Sequence, residues 1–206
     1  MLKRSFTVAS LCIVAQTTGC GHAPILPDSM IASDENDPAR EVLEPRANEV
    51  VIVINDNAPT ALHAGMFAGG YLLDPLGAYV PARSLSENWR GPSLVDYVRF
   101  EMEDGPRVIL YRFTLSRGQF AAIEHSAKDS GFTMPFFCAA KVHNVIAGLS
   151  PFHGIRKRFW ISPVALAREL DPLTSGPRAV GICTWPNGTP CTATEKLPPV
   201  QSAEIE

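Results

Sequence analysis

Residues 62–79 read LHAGMFAGGYLLDPLGAY, and this stretch decides the fold. Gly69-Gly70 is a hairpin turn signal between two strand-like apolar runs, so the chain is expected to double back on itself as antiparallel strands. With a two-residue turn, Ala68 pairs with Tyr71, Gly65 with Asp74 and His63 with Leu76. Side chains alternate between faces, which makes His63 and Asp74 diagonal neighbours on one face, roughly 7 to 8 Å apart at the backbone. Gly65, opposite Asp74, leaves room there for a polar bridge. Two other readings stand beside this one. Asp74-Pro75-Leu76-Gly77 fits a turn with Asp first, Pro second and Gly fourth, and a lone histidine on an apolar strand also reads as a core residue with its hydrogen bonds met.

Working outward, VVIVIND before the hairpin is a β-branched run of the kind found in a buried strand. PSLVDYVRFEMEDG predicts a helix capped by Ser93, with Asp96 three residues on and Leu94, Val95, Val98 and Met102 at helical spacing. RVILYRFTL follows as a strand, and SRGQFAAIEHSAKDSG as a helix capped by Ser116 and closed near Gly131. A helix from Cys138 to about Gly148 comes next, then SPVALARELDPL as a short helix behind Ser162 and Pro163. Few, short antiparallel strands with helices packed on them make an α+β domain with a small antiparallel sheet.

Composition narrows the function classes. The 206 residues are 46% hydrophobic and 19% charged, with net charge −3, room for one ordinary domain plus tails and no general pull toward nucleic acid. At the N-terminus, Lys3 and Arg4 precede an apolar segment and a small-residue end at Thr17-Thr18-Gly19-Cys20: a secretory signal, too short to span a membrane. A signal of this shape ending directly before a cysteine resembles a bacterial lipoprotein signal. The resemblance implies that Cys20 is lipidated and becomes the mature N-terminus, and Gly21 after it leans toward the outer membrane. The expected division is a signal over 1–19, a flexible proline-containing tether over 20–49, a folded domain over 50–175, and a hairpin and tail over 176–206. The tether would hold the domain on the order of 30 Å from its anchor.

Each of the five cysteines can then be assigned. Cys12 leaves with the signal and Cys20 is the lipid site. Cys183 and Cys191 flank a Pro-Asn-Gly reversal and are expected to form a disulfide in an exported compartment. Cys138 remains, in MPFFCAAKVHNVI, either a functional thiol or a small buried residue. At about 100° per residue, Val142, Val145 and Leu149 fall within about 40° of Cys138 and Ile146 within about 80°, so the thiol heads the buried stripe of its helix. His143 lies about 140° away by the same turn angle and is expected to face solvent. At a helix N-terminus the macrodipole and unpaired N–H groups favour a thiolate and would also bind an oxyanion. A thiolate needs a base held by a third polar group, and His63 with Asp74 is the best pair. No cofactor or metal is expected, since the histidines and cysteines show neither H-x-x-x-H nor C-x-x-C spacing. His125 and His153 read as surface residues. Arg156-Lys157-Arg158 reads as a solvated loop or as a contact for anionic headgroups or glycan carboxylates, with Trp160 beside it.

The order of these features resembles the circularly permuted papain-like fold, which includes NlpC-type peptidases and the lecithin:retinol acyltransferase group. The carrying segments are H-A-G, L-D-P-x-G, YRFTLSRGQFAAI, FFCAAKVHNVI and WISPVALAREL, over roughly residues 50–170. By position the resemblance implies Cys138 as nucleophile, His63 as base and Asp74 or a near neighbour as orienting group. The expectation is a membrane-anchored periplasmic thiol hydrolase or acyltransferase. Its first substrate class is peptidoglycan peptide amides, with lipid or lipoprotein acyl groups as the alternative. A non-catalytic envelope lipoprotein that keeps the fold is the reading from another class.

Overall fold

The structure is a computed structural model describing residues 44–57, 61–87, 89–105 and 107–174, together with the backbone of 179–182. The expected signal, the expected lipidation site Cys20, most of the stretch read as tether and the expected Cys183–Cys191 disulfide lie outside the described residues.

The domain is α+β, built on one antiparallel sheet in the order β3-β2-β1-β4-β5. Its strands are β1 (Glu49–Asn57), β2 (Ala61–Ala68), β3 (Tyr71–Leu73), β4 (Arg107–Thr114) and β5 (Ala179–Ile182). Its helices are α1 (Tyr79–Arg83), α2 (Leu94–Met102), α3 (Arg117–Ser130), α4 (Cys138–Ile146) and α5 (Pro163–Leu170). The β-branched run of β1 is central because it is apolar on both faces. Val50, Ile52 and Ile54 enter a core with Ala64, Met66, Tyr111 and helices α3 to α5. Val51 and Val53 enter a second core with Phe67, Leu110 and helices α1 and α2. A strand covered on both sides needs no polar alternation, which is how this run reads.

The helix starts follow local chemistry. Ser93 accepts from the Asp96 amide, Ser116 closes a capping box with Gln119, and Ser162 caps α5 ahead of Pro163. The described fold starts inside the stretch read as tether: Glu44 carboxylate oxygens accept from the Leu94 and Val95 amides at the first turn of α2. The sheet also takes in Ala179–Ile182, paired with β4 through Arg107↔Ile182 and onward.

The hairpin turns at Gly69, with φ 54, and pairs Ala68↔Tyr71, Phe67↔Leu72 and Met66↔Leu73. The further pairs expected, Gly65 with Asp74 and His63 with Leu76, do not form in the ladder. Asp74 instead opens a turn in which the Gly77 amide donates to its carbonyl at 3.0 Å. The edge of β2 from Ala61 to Gly65 is therefore not covered by β3.

His143 also departs from expectation: it is fully buried rather than solvent-facing. Its side of α4 meets α5, where Nε2 lies 3.1 Å from the Glu169 carboxylate. The helix is thus covered by the sheet on one side and by another helix on the other, which the 100° turn rule applied to α4 alone does not reveal.

Gly65 is required by packing: a Cβ there would stand 2.2 Å from the Tyr97 hydroxyl oxygen. Gly65→Ala is expected to cost on the order of 2 kcal/mol in chemical denaturation through overpacking against the buried phenol. Tyr97→Phe in the same chain should recover part of the loss, since it removes the closest atom. Equal stability of wild type and Gly65→Ala would show that the phenol can move aside at no cost.

Candidate active site

His63 and Asp74, two of the residues singled out from sequence, meet where β2 runs past the end of β3, and Cys138 reaches the carbonyl of the residue before His63. His63 sits on the face of β2 that packs toward α2, opposite Asn55 of β1 in register. Its Nε2 lies 3.2 Å from Asp74 Oδ1 and 3.9 Å from Glu101 Oε1. Asp74 makes the contacts of both readings that the sequence left open. Its Oδ1 accepts from the Leu76 amide and its Oδ2 from the Tyr79 amide at 2.9 Å, while the same carboxylate faces the imidazole. The turn thus holds the carboxylate rigid, and the rigid carboxylate holds the ring.

Cys138 arrives from the other side of the sheet. The body of α4 packs on the Ala64 and Met66 face through Ala139, Val142 and Ile146. Cys138, its first residue, reaches the uncovered edge of β2, where Sγ donates to the Leu62 carbonyl at 3.9 Å. The thiol therefore meets the backbone immediately before His63 at the sheet edge. It is 1% exposed.

The helix start beneath the thiol is unusual. Phe137, the N-cap, makes no side-chain cap hydrogen bond, so the first-turn amides are left for another acceptor. Phe136 has φ 72, in the left-handed region that disfavours a bulky side chain. Its carbonyl accepts from Trp160 Nε1 at 3.1 Å, and the Phe137 and Phe159 rings meet edge to face at 5.4 Å. The loop before the cysteine is thus clamped by the loop before α5.

The electrostatics divide the two carboxyls nearest His63. Burial opposes ionisation of Asp74, but the His63 hydrogen bond and charge, with the Tyr79 and Leu76 amides, outweigh it and hold the group below its ordinary value of 3.8. Burial raises Glu101 above its ordinary 4.5; the His63 charge and the Asn55 hydrogen bond oppose this, and the charges of Asp74 and Asp104 add to it. Burial also pushes the Tyr97 phenol well up, with further contributions from Glu101, Asp74 and Cys138.

The sign for Glu101 gives a test. A carboxyl whose folded pKa is raised contributes stability that is complete below its unfolded pKa and is lost as pH rises through the folded value. Glu101→Gln keeps an acceptor for Asn55 Nδ2, which donates to Glu101 Oε2 at 3.1 Å, and removes the titration. Its melting temperature relative to wild type should therefore be higher at about pH 8 than at about pH 4. An offset that is the same at both pH values assigns the titration elsewhere.

Glu101, Tyr97 and Asn55 were not anticipated as site residues. One signal was available: Glu101 stands seven residues after Leu94 and four after Tyr97, which puts a carboxylate in the apolar stripe of α2. Among the described residues no cluster of three or more His, Cys, Asp or Glu side chains could hold a metal ion. Of the other histidines, His125 is exposed and pairs with Asp129 at 3.3 Å, and His153 is exposed in its loop.

Models of protein families, curated proteins and solved structures give no match to this chain.

Proposed function

We propose that this protein is an envelope thiol hydrolase or acyltransferase of the permuted papain-like kind, with Cys138 as nucleophile, His63 as base and Asp74 as orienting residue. The observation that carries the reading is the His63 Nε2 to Asp74 Oδ1 contact of 3.2 Å, one residue along the strand from the Leu62 carbonyl that meets Cys138 Sγ. An ionised Asp74 favours the tautomer with its proton on Nε2, which makes Nδ1 the basic nitrogen. In this reading Nδ1 takes the thiol proton and the sulfur attacks an acyl carbonyl. The oxyanion is held by first-turn amides of α4, and the leaving group departs with the proton from the imidazolium. Water or a second acceptor then releases the acyl group by the reverse path.

Peptidoglycan peptide amides remain the first substrate class on the exported signal and the family resemblance, and acyl lipids or lipoproteins the second. A non-catalytic lipoprotein that keeps the fold is the competing reading, favoured by the burial of Cys138.

Thiol titration separates them. An enzyme thiol reacts with monobromobimane with a pKa well below the reference of about 8.5 and is labelled by a thiol-reactive acyl probe in the folded protein. Reaction only after unfolding, or labelling equal to that of Cys138→Ala, leaves the non-catalytic lipoprotein.

A further inference from the structure

The thiol chemistry does not use the aromatic side chains exposed around the start of α4. Phe132, Phe136, Phe159 and Trp160 are 78%, 61%, 87% and 54% exposed, and Met134 between the first two is exposed as well. They form one surface rather than scattered residues. Trp160 is bonded to the Phe136 carbonyl, Phe159 stacks on Phe137, and the Thr133 amide donates to Pro75 O at 2.8 Å, which fastens the first loop over the Asp74 turn. The second loop is fastened too: the Arg158 amide donates to Asn144 Oδ1, and Asn144 Nδ2 donates back to the Arg158 carbonyl. Large apolar side chains held out by fixed backbone mark a surface that contacts something apolar.

The charge beside the patch identifies the partner. Arg156 and Lys157 are exposed and pair with no acidic side chain among the described residues, whereas Arg158 is bridged to Glu169 at 2.7 Å. On a chain of net charge −3 this is a local cationic edge against an aromatic one. Aromatic side chains at headgroup depth with cations above them fit the interface of an anionic bilayer. A second copy of this chain fits less well, since a two-fold contact centred on Arg156 and Lys157 would bring like charges together.

We propose that residues 132–136 and 156–160 form a membrane-docking surface that inserts its aromatic side chains into an anionic bilayer interface and turns the start of α4 toward the lipid. This stands apart from the thiol chemistry and does not require it.

The test uses the full chain with Trp89→Phe and Trp185→Phe, which leaves Trp160 as the reporter among three tryptophans. It is mixed with equimolar phosphatidylglycerol–phosphatidylcholine vesicles whose acyl chains are brominated. The Trp160 emission is expected to shift to the blue and be quenched, and Arg156→Glu with Lys157→Glu should weaken the lipid dependence at least about tenfold. Phe159→Ser should weaken it comparably. Because the readout is local to Trp160, association through the N-terminal segment alone leaves it unquenched and overturns the proposal. A blue shift that grows with protein concentration in the absence of lipid, with doubled mass by light scattering, overturns it in favour of self-association. Cys138→Ala should dock as wild type does, so loss of the thiol reading and loss of the docking reading register separately.

Discussion

Cys138→Ala is expected to lower turnover of an activated acyl substrate by at least about a thousandfold, because no other group at the start of α4 can form the acyl intermediate. The same substitution should leave the fold nearly intact. Cys138 is buried, and replacing its thiol by hydrogen in a packed position costs on the order of 1 kcal/mol, a few degrees in a thermal melt. The size of the contrast is the diagnostic: a large kinetic loss on a small stability loss assigns chemistry to the sulfur. Activity in Cys138→Ala within about tenfold of wild type would remove the nucleophile from the mechanism, and with it the carry-over of the papain-like roles.

The second large effect is a split at Asp74, whose carboxylate does two jobs. Asp74→Ala removes the acceptor for the Leu76 and Tyr79 amides as well as the partner of His63. It should destabilise the domain by about 1 to 3 kcal/mol, the cost of leaving buried donors unmet. Asp74→Asn keeps one oxygen and the shape. If that oxygen stays on the Tyr79 amide, the new NH2 group faces His63 Nε2 and favours the tautomer with its proton on Nδ1, which cannot accept the thiol proton. Asp74→Asn should therefore lose about a hundredfold or more in kcat with a smaller loss of stability than Asp74→Ala. Denaturant melts and kcat measured on both variants decide it: a fully active Asp74→Asn makes the residue a turn former alone.

These expectations rest on features that differ in how far they could be read in advance. The caps at Ser93, Ser116 and Ser162 are complete within a few residues, so each helix start was legible from its own neighbourhood. The hairpin at Gly69 was legible for the same reason, whereas His63 and Asp74 meet without the ladder pairs that the alternation assumed. The length of β3 was not. The register argument extends a ladder indefinitely, whereas the Asp74 turn ends it after Leu73, and that early end exposes the β2 edge where Cys138 arrives.

What the sequence by itself determined is the set of local structures and the chemistry each carries: a buried β-branched strand, an antiparallel hairpin with a histidine and a carboxylate, and a thiol at a helix start. Tertiary structure decided which of these meet. It buried His143 against α5, carried Glu101 of α2 to the His63 ring and the Tyr97 phenol against Gly65, and brought Cys138 to the sheet edge from the opposite face. The reason is physical. A turn or a cap is settled by bonds that close within a few residues, but burial and side-chain partnership depend on surfaces supplied by segments tens of residues away, and no local periodicity encodes which helix will cover which face.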